Sequence, residues 1–218
     1  MTFLNQLGES GDKLAHGASK IGLSLSELQL EQLAQYACLL QKWGRVYNLT
    51  ANKEFSQIVS LHLLDSLVVV NPLLREARHL KNILDVGSGA GLPGVVLAIA
   101  LPHVRVHCVD AVAKKAAFIH QVAISLKLKN LSAHHSRIEA FEGCYDLIAS
   151  RAFSSLVDFV ALTRKNISQS GIWLAMKARV NPEDEGPLPE GVELFHVEPL
   201  RVPDLEATRS IVWLKNKQ

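Results

Sequence analysis

The chain has 218 residues, 48% of them apolar and 20% charged, with 23 Lys and Arg against 21 Asp and Glu. That composition can bury a sizeable core in one domain, or in one domain with a small extension, and it excludes a disordered chain. The longest unbroken apolar runs, 95–101 and 67–70, fall far short of the roughly 20 residues a membrane span needs. The N-terminus lacks the basic-then-apolar layout of a secretory signal. Three scattered cysteines, Cys38, Cys108 and Cys144, form no CxxC pair and fit structural packing in a reducing cytoplasm.

Ser24 and Glu27 have the spacing of a capping box, and Leu33, Tyr36, Ala37, Leu40 and Trp43 recur at the intervals of an amphipathic helix that is expected to end near Gly44. Tyr47-Asn-Leu-Thr50 reads as a connection. A second helix is predicted over 57–70, stopping before Asn71-Pro72. Residues 1–80 therefore read as a helical extension, and 81–218 as the main domain.

From residue 82 the pattern changes: apolar β-like runs at 83–86, 104–109, 131–136, 145–149 and 172–176 alternate with helical stretches near 94–100, 114–126 and 156–166. This alternation predicts parallel strands with crossover helices on both faces, an α/β doubly wound sheet. Residues 181–190, with three prolines and four acidic residues, read as a loop. The last runs, 193–197 and 210–215, have no helix between them and so pair antiparallel, which makes a seven-stranded, mostly parallel sheet. Charge is uneven along this order: residues 81–180 hold twelve Lys and Arg against six Asp and Glu. Such a surplus suits an anionic partner, although charge alone equally describes an ordinary solvated surface.

The stretch most informative about chemistry is Asp85-Val-Gly-Ser-Gly-Ala-Gly-Leu-Pro-Gly94, between a strand and a helix. Glycines let the backbone turn sharply and approach a ligand, and the following helix offers free N–H groups. Gly89, Gly91 and Gly94 also satisfy GxGxxG, so a dinucleotide cofactor is an alternative. Two details favour S-adenosylmethionine: Asp85 stands where a carboxylate can receive the methionine ammonium, and Gly87 starts the glycine run early. Asp110, closing the second strand, suits ribose hydroxyls of either cofactor. A non-catalytic binding module is the third reading.

In order along the chain, Tyr47-Asn-Leu-Thr-Ala51, His62-Leu-Leu-Asp-Ser-Leu67, Asp85 to Gly94, Asp110 with Lys114-Lys115, Ser136-Arg-Ile-Glu139, Ser150-Arg-Ala-Phe153 and Met176-Lys177 resemble the ribosomal RNA small subunit methyltransferase G family, also called glucose-inhibited division protein B. The resemblance implies a class I, Rossmann-like methyltransferase fold. It also implies methyl transfer from S-adenosylmethionine to N7 of the guanine at position 527 of 16S ribosomal RNA, presented in the small subunit or in an assembly intermediate. By the family motifs, Gly87, Leu92, Ile138, Glu139 and Arg151 would contact the cofactor. Arg137, Arg151, Lys177 and Arg209 are candidates for meeting phosphates or the guanine edge, because arginine matches the O6 and N7 acceptors of guanine, and Arg137, Lys177 and Arg209 are expected to form an RNA-facing surface. Thr208 replaces the acidic residue usual before the arginine, and Ala178 a common glycine. Guanine N7 carries an exposed lone pair, so no general base is expected. His62 and Asp65, three apart on a helix, read as a hydrogen-bonded pair fixing its cap. His134 and His135 alternate across a strand and cannot share a metal, and no metal is expected.

Overall fold

The computed structural model describes residues 8–47, 54–77, 79–151, 153, 155–178, 186–206 and 208–217. Two helices come first, α1 at Glu9–Lys20 and α2 at Glu27–Tyr47. The capping box of α2 lies two residues later than expected: Ser26 Oγ accepts from the Gln29 N–H at 3.3 Å, and the Ser26 N–H donates to Gln29 Oε1 at 2.9 Å. Gln29 serves because its Nε2 can also reach the carbonyl oxygens of Ile99 and Ala100, at 2.9 and 3.1 Å, and so ties α2 to the sheet domain. The helix runs through Gly44 to Tyr47, since one glycine inside a helix costs only about 1 kcal/mol. The rest of the expected connection, 48–50, lies outside the described residues.

Helix α3 begins with an α-helical turn at Phe55–Ile58, passes through a π-helical turn at Val59–Leu64 and resumes at Asp65–Leu67. Helix α4 follows at Val70–Glu76. Asn71-Pro72 thus opens a helix instead of ending one, because a proline in the first turn has no intrahelical N–H bond to lose. Together these elements form an apolar helical stretch, Phe55–Glu76, that the short uninterrupted runs conceal. It is long enough to cross a membrane, yet 72% of its most apolar window is buried within the fold.

The sheet is built from β1 (Asn82–Val86), β2 (Arg105–Asp110), β3 (Leu131–His135), β4 (Tyr145–Ser150), β5 (Ile167–Lys177), β6 (Val192–Leu200) and β7 (Arg209–Asn216). Its order is β3-β2-β1-β4-β5-β7-β6, with β7 antiparallel to both its neighbours and all other pairs parallel. Helices α5 (Gly94–Ala100), α6 (Ala113–Ser125) and α7 (Leu156–Thr163) make the crossovers. Strand β5 starts five residues before the predicted run, because Ser168-Gln-Ser-Gly171 looks like a turn. It is accommodated by an irregularity: Tyr145 pairs with Ile167, but Leu147 pairs with Ile172.

Alternate residues of each strand feed two apolar layers. Ile83, Val106, Leu147, Leu174 and Trp213 face α1 to α6, whereas Leu84, Val109, Ile148, Trp173 and Leu214 face α7 through Leu156, Phe159 and Val160. Burial on both sides explains the near-continuous apolar runs of β1 and β4. The N-terminal helices thus share one core with the sheet.

Candidate functional site

Chain order along the sheet reverses between β1 and β4, and a crevice opens beyond the carboxyl ends of strands at such a point. The glycine loop fills it, held from three sides. From β1, the Asp85 Oδ2 accepts the Gly94 N–H at 2.9 Å. From β2, Asp110 Oδ2 accepts the Gly89 N–H at 2.9 Å, and the Val109 carbonyl oxygen accepts from Gly87 and Ser88 at 2.9 and 3.2 Å. From the helical extension, the buried Tyr36 hydroxyl donates to the Ala90 carbonyl oxygen at 2.6 Å. Burial pushes the Tyr36 phenol well above its ordinary pKa, so it remains a donor.

Two glycines are required by space. A Cβ at Gly91, where φ is +90°, would come within 2.5 Å of Val95 Cγ2. One at Gly94 would come within 2.4 Å of Cys108 Sγ and 2.7 Å of Asp85 Oδ2. Asp85 itself is fully buried, and burial raises its pKa to about 6 against the lowering effect of the Gly94 N–H. Its Oδ1 has no hydrogen-bond partner among the described residues.

Beside the loop lies a first cleft of about 280 Å³. Gly87, Asp110, Ile138 and Glu139 line it, with Val109, Phe153 and Leu162 as apolar wall. Asp110 divides its carboxylate between Gly89 and the Val112 N–H, at 2.9 Å each, with Lys115 Nζ 3.7 Å away. Ile138 and Glu139 reach the cleft because a 3-10 turn, Ile138–Ala140, follows β3. Leu92 does not line it. At 4% exposure its side chain belongs to the apolar core beneath the loop.

A second cleft of about 340 Å³ lies between α3 and the ends of β4, β5 and β7, lined in part by His62, Asp65, Arg151, Lys177 and Arg209. The Ser150 hydroxyl donates to the Val86 carbonyl oxygen at 2.8 Å, so the strand ends bordering the two clefts are joined. Asp65, 3% exposed, receives two arginines: Arg151 Nη1 at 3.2 Å and Arg209 Nε at 2.6 Å. The expected His62–Asp65 pair is not formed, because the guanidinium groups take both carboxylate oxygens. Neither ring nitrogen of His62 has a partner among the described residues, and burial lowers its pKa to about 4.

The arginines expected at the carboxyl edge divide between the two clefts. Arg151, read both at the cofactor and as a candidate for phosphates or the guanine edge, lines the second cleft with Lys177 and Arg209, while Arg137, expected to share a surface with those two, lines the first. Arg137 follows β3 and turns with Ile138 and Glu139 toward the crevice, whereas Arg151 leaves β4 beside α3. The departure at Thr208 is bridged by backbone, since its carbonyl oxygen accepts from Arg209 Nη1 at 3.0 Å. Tyr36 and Asp65 are the contributors sequence reasoning missed in these roles. The aromatic of a helix motif and the acid of a helix pair gave no sign of reaching residues 54 to 144 positions away. His134 and His135 do diverge: His134 meets His107 with ring nitrogens 3.1 Å apart, and His135 Nε2 lies 3.2 Å from the Ala111 carbonyl oxygen.

Comparison with known proteins places this geometry in context. Among solved structures, TrmN from Thermus thermophilus superposes with a TM-score of 0.56 at 17% identity, covering 72% of this chain and 53% of that one. A SAM dependent methyltransferase from Aquifex aeolicus gives 0.51 at 17% identity, covering 72% and 92%. At such identity these establish the class I methyltransferase fold. The ribosomal RNA small subunit methyltransferase G of Methylibium petroleiphilum is 50% identical over 206 residues, which cover 94% of this chain and 93% of that protein. That of Paracidovorax citrulli is 50% identical over 218 aligned positions, covering 94% and 89%. The profile of the GidB family, described as rRNA small subunit methyltransferase G, matches residues 29–212, and the chain belongs to that family.

Proposed function

We propose that the protein transfers a methyl group from S-adenosylmethionine to N7 of guanine 527 in 16S ribosomal RNA, within the small subunit or an assembly intermediate, in the cytoplasm. The observation that carries the reading is the acid–glycine loop–acid cradle beside the first cleft, in a chain half identical to ribosomal RNA small subunit methyltransferases over nearly its whole length. The first cleft suits the cofactor: Ile138 with Val109 offers an apolar wall for adenine, Glu139 a polar edge, Asp110 a ribose acceptor, and Gly87 close backbone approach. Asp85, fully buried and lining neither cleft, shapes the loop by holding the Gly94 N–H, with Oδ1 left for the ammonium group should the loop admit it. Leu92 supports the loop from the core. Residues 1–80 act as an extension that completes the site through Tyr36 and Asp65.

S-adenosylmethionine supplies an electrophilic methyl group carried on a sulfonium. Guanine N7 needs no deprotonation, so the protein's part is to orient, exclude water and stabilise shifting charge. Orientation alone can supply roughly 7 to 11 kcal/mol, and the positive charge that moves from the sulfonium to the purine is favoured by fixed acceptors and carboxylates near the site. Paired RNA hides this guanine edge in a deep, narrow groove, so the target is presented unpaired or turned outward. Lys177, Arg209 and Arg137 are the cations offered to the RNA.

Radiolabelled methyl transfer into 30S subunits, compared with DNA and free nucleotides, tests the proposal. Label confined to 16S RNA as 7-methylguanine supports it. Equal labelling of DNA, or none of the subunits, overturns it.

A further inference from the structure

We propose that the second cleft receives the target guanine and that Asp65, a residue of the helical extension, is the positioning residue that aims Arg151 and Arg209 at the O6 edge of the base. The inference rests on the reading above and adds the site of the base.

Three observations converge. First, one buried carboxylate holds guanidinium groups from two strands, Arg151 after β4 and Arg209 at the start of β7, at 3.2 and 2.6 Å. Arg151 gives up only one terminal nitrogen to this contact, and Arg209 spends Nε on Asp65 and Nη1 on the Thr208 carbonyl oxygen. The contacts of both with described residues run through Nε and Nη1, and both arginines line the cleft. A guanidinium fixed on one side and open on the other is a preorganised donor.

Second, the cleft is built for a base as well as for charge. Leu61, Met176 and Ala178 contribute apolar wall, which a phosphate does not require, and a volume of about 340 Å³ accommodates a purine ring. Third, His62 stands on the same wall beside the Leu61 backbone, and burial lowers its pKa to about 4, which keeps the ring neutral at pH 7 with a nitrogen able to accept a hydrogen bond from the base. Guanine offers O6 as an acceptor and N1–H as a donor, so arginine N–H groups directed to O6 leave N7 free for the incoming methyl. Adenine presents an amino group at that position and would meet donors with a donor.

The test measures kcat and KM for unmethylated 30S subunits, S-adenosylmethionine affinity by calorimetry, and thermal stability, for wild type, Asp65→Asn, Asp65→Glu, Arg209→Lys, Arg209→Ala and the Asp65→Asn/Arg209→Ala pair. Asp65→Asn is expected to lower kcat at least tenfold with KM within threefold and cofactor affinity within twofold. Asp65→Glu should recover part of the loss. In the Arg209→Ala background, Asp65→Asn should cost no more than a further threefold, because the two act through one contact. Should Asp65→Asn fail to fold, Arg209→Lys carries the same test: it keeps the charge on a partly exposed residue, gives up the Nε contact, and is expected to lose at least fivefold in kcat. Normal turnover in whichever of these variants folds, fully multiplicative losses in the pair, or a loss of cofactor affinity matching the loss of kcat would overturn the proposal. Absence of methylation by wild type would instead overturn the functional reading beneath it.

Discussion

Gly94→Ala perturbs the one position where the loop, β1 and β2 all press on the same backbone. An added Cβ would stand 2.4 Å from Cys108 Sγ, 2.7 Å from Asp85 Oδ2 and 3.1 Å from Asp85 Cβ. None of these atoms ends a long flexible side chain, so relief must come from shifting β2 or turning the Asp85 carboxylate away from the Gly94 N–H. Overpacking of this kind costs about 1–3 kcal/mol, and a hydrogen bond to a charged group contributes about 1.5–3 kcal/mol. The two are coupled, so a net loss of about 3 kcal/mol is expected, or roughly 6–12 °C in Tm for a chain of this size. Gly89→Ala is the control. Its φ is +58° but only the Gly87 carbonyl oxygen comes within 4 Å, at 3.9 Å, so it should lose only the left-handed penalty of about 1–2 kcal/mol. Urea unfolding of both variants, and of Gly94→Ala combined with Cys108→Ala, measures the difference. Removing the Cys108 sulfur opens the tightest contact, so the double variant should be less destabilised than the sum of the singles by about 1 kcal/mol or more. A Gly94→Ala protein within about 0.5 kcal/mol of wild type, or strict additivity with Cys108→Ala, would refute the packing argument.

Tyr36→Phe removes the donor to the Ala90 carbonyl oxygen and should cost about 1–3 kcal/mol in urea unfolding, together with a measurable loss of cofactor affinity. Asp85 gives a pH signature: with its folded pKa raised from 3.8 to about 6, the folded state holds the proton more tightly, so this group's contribution to stability is fully present below pH 4 and is lost as pH rises toward 6. The difference between wild-type and Asp85→Asn unfolding curves should show that decline, on the order of 3 kcal/mol, and flatten above pH 7. If the cofactor ammonium meets Oδ1, binding near pH 6 releases a fraction of a proton, read from calorimetry in buffers of different ionisation enthalpy. Asp110→Ala, which frees the Gly89 and Val112 N–H groups, should weaken S-adenosylmethionine binding at least tenfold and abolish thermal stabilisation by S-adenosylhomocysteine. NAD should stabilise neither protein. Lys177→Ala should raise KM for 30S subunits and reduce its salt dependence, with cofactor affinity within about twofold, a difference of roughly 0.4 kcal/mol.

Elements whose cause is local were readable from residue spacing. The apolar runs of β1 to β4, the start of α5 at Gly94 and the unlinked pair β6 and β7 follow from periodicity and turn chemistry, and they lie where expected. Misreadings arose where a distant partner decides. Ser26, not Ser24, caps α2 because Gln29 also reaches across to α5. The beginning of β5 is polar and becomes a strand through pairing with β4 and accommodation of a bulge. Residues at the carboxyl edge of the sheet were identifiable as a set, but their division between two clefts was not. Arg137 and Arg151 each follow a parallel strand, and nothing in their neighbours distinguishes a turn toward the crevice from one toward α3. Asp65 is the plainest case: a helix spacing pairs it with His62, while the fold supplies two stronger cations 86 and 144 residues away.

Strand β7 inserts between β5 and β6, so the last strand in sequence occupies an interior place in the sheet. This gives the two clefts different histories during synthesis. Every residue that lines the first cleft lies between Val86 and Leu162, and a chain emerging from its N-terminus can assemble that region while later strands are still being made. The second cleft waits for Arg209, which arrives only when β7 slides between its neighbours. Until then Asp65 holds at most one of its two arginines, and β5 and β6 lack the strand that joins them. On the reading proposed above, the cofactor cleft is thus encoded within residues 86–162, whereas the place for RNA also needs the far end of the chain, through residue 209.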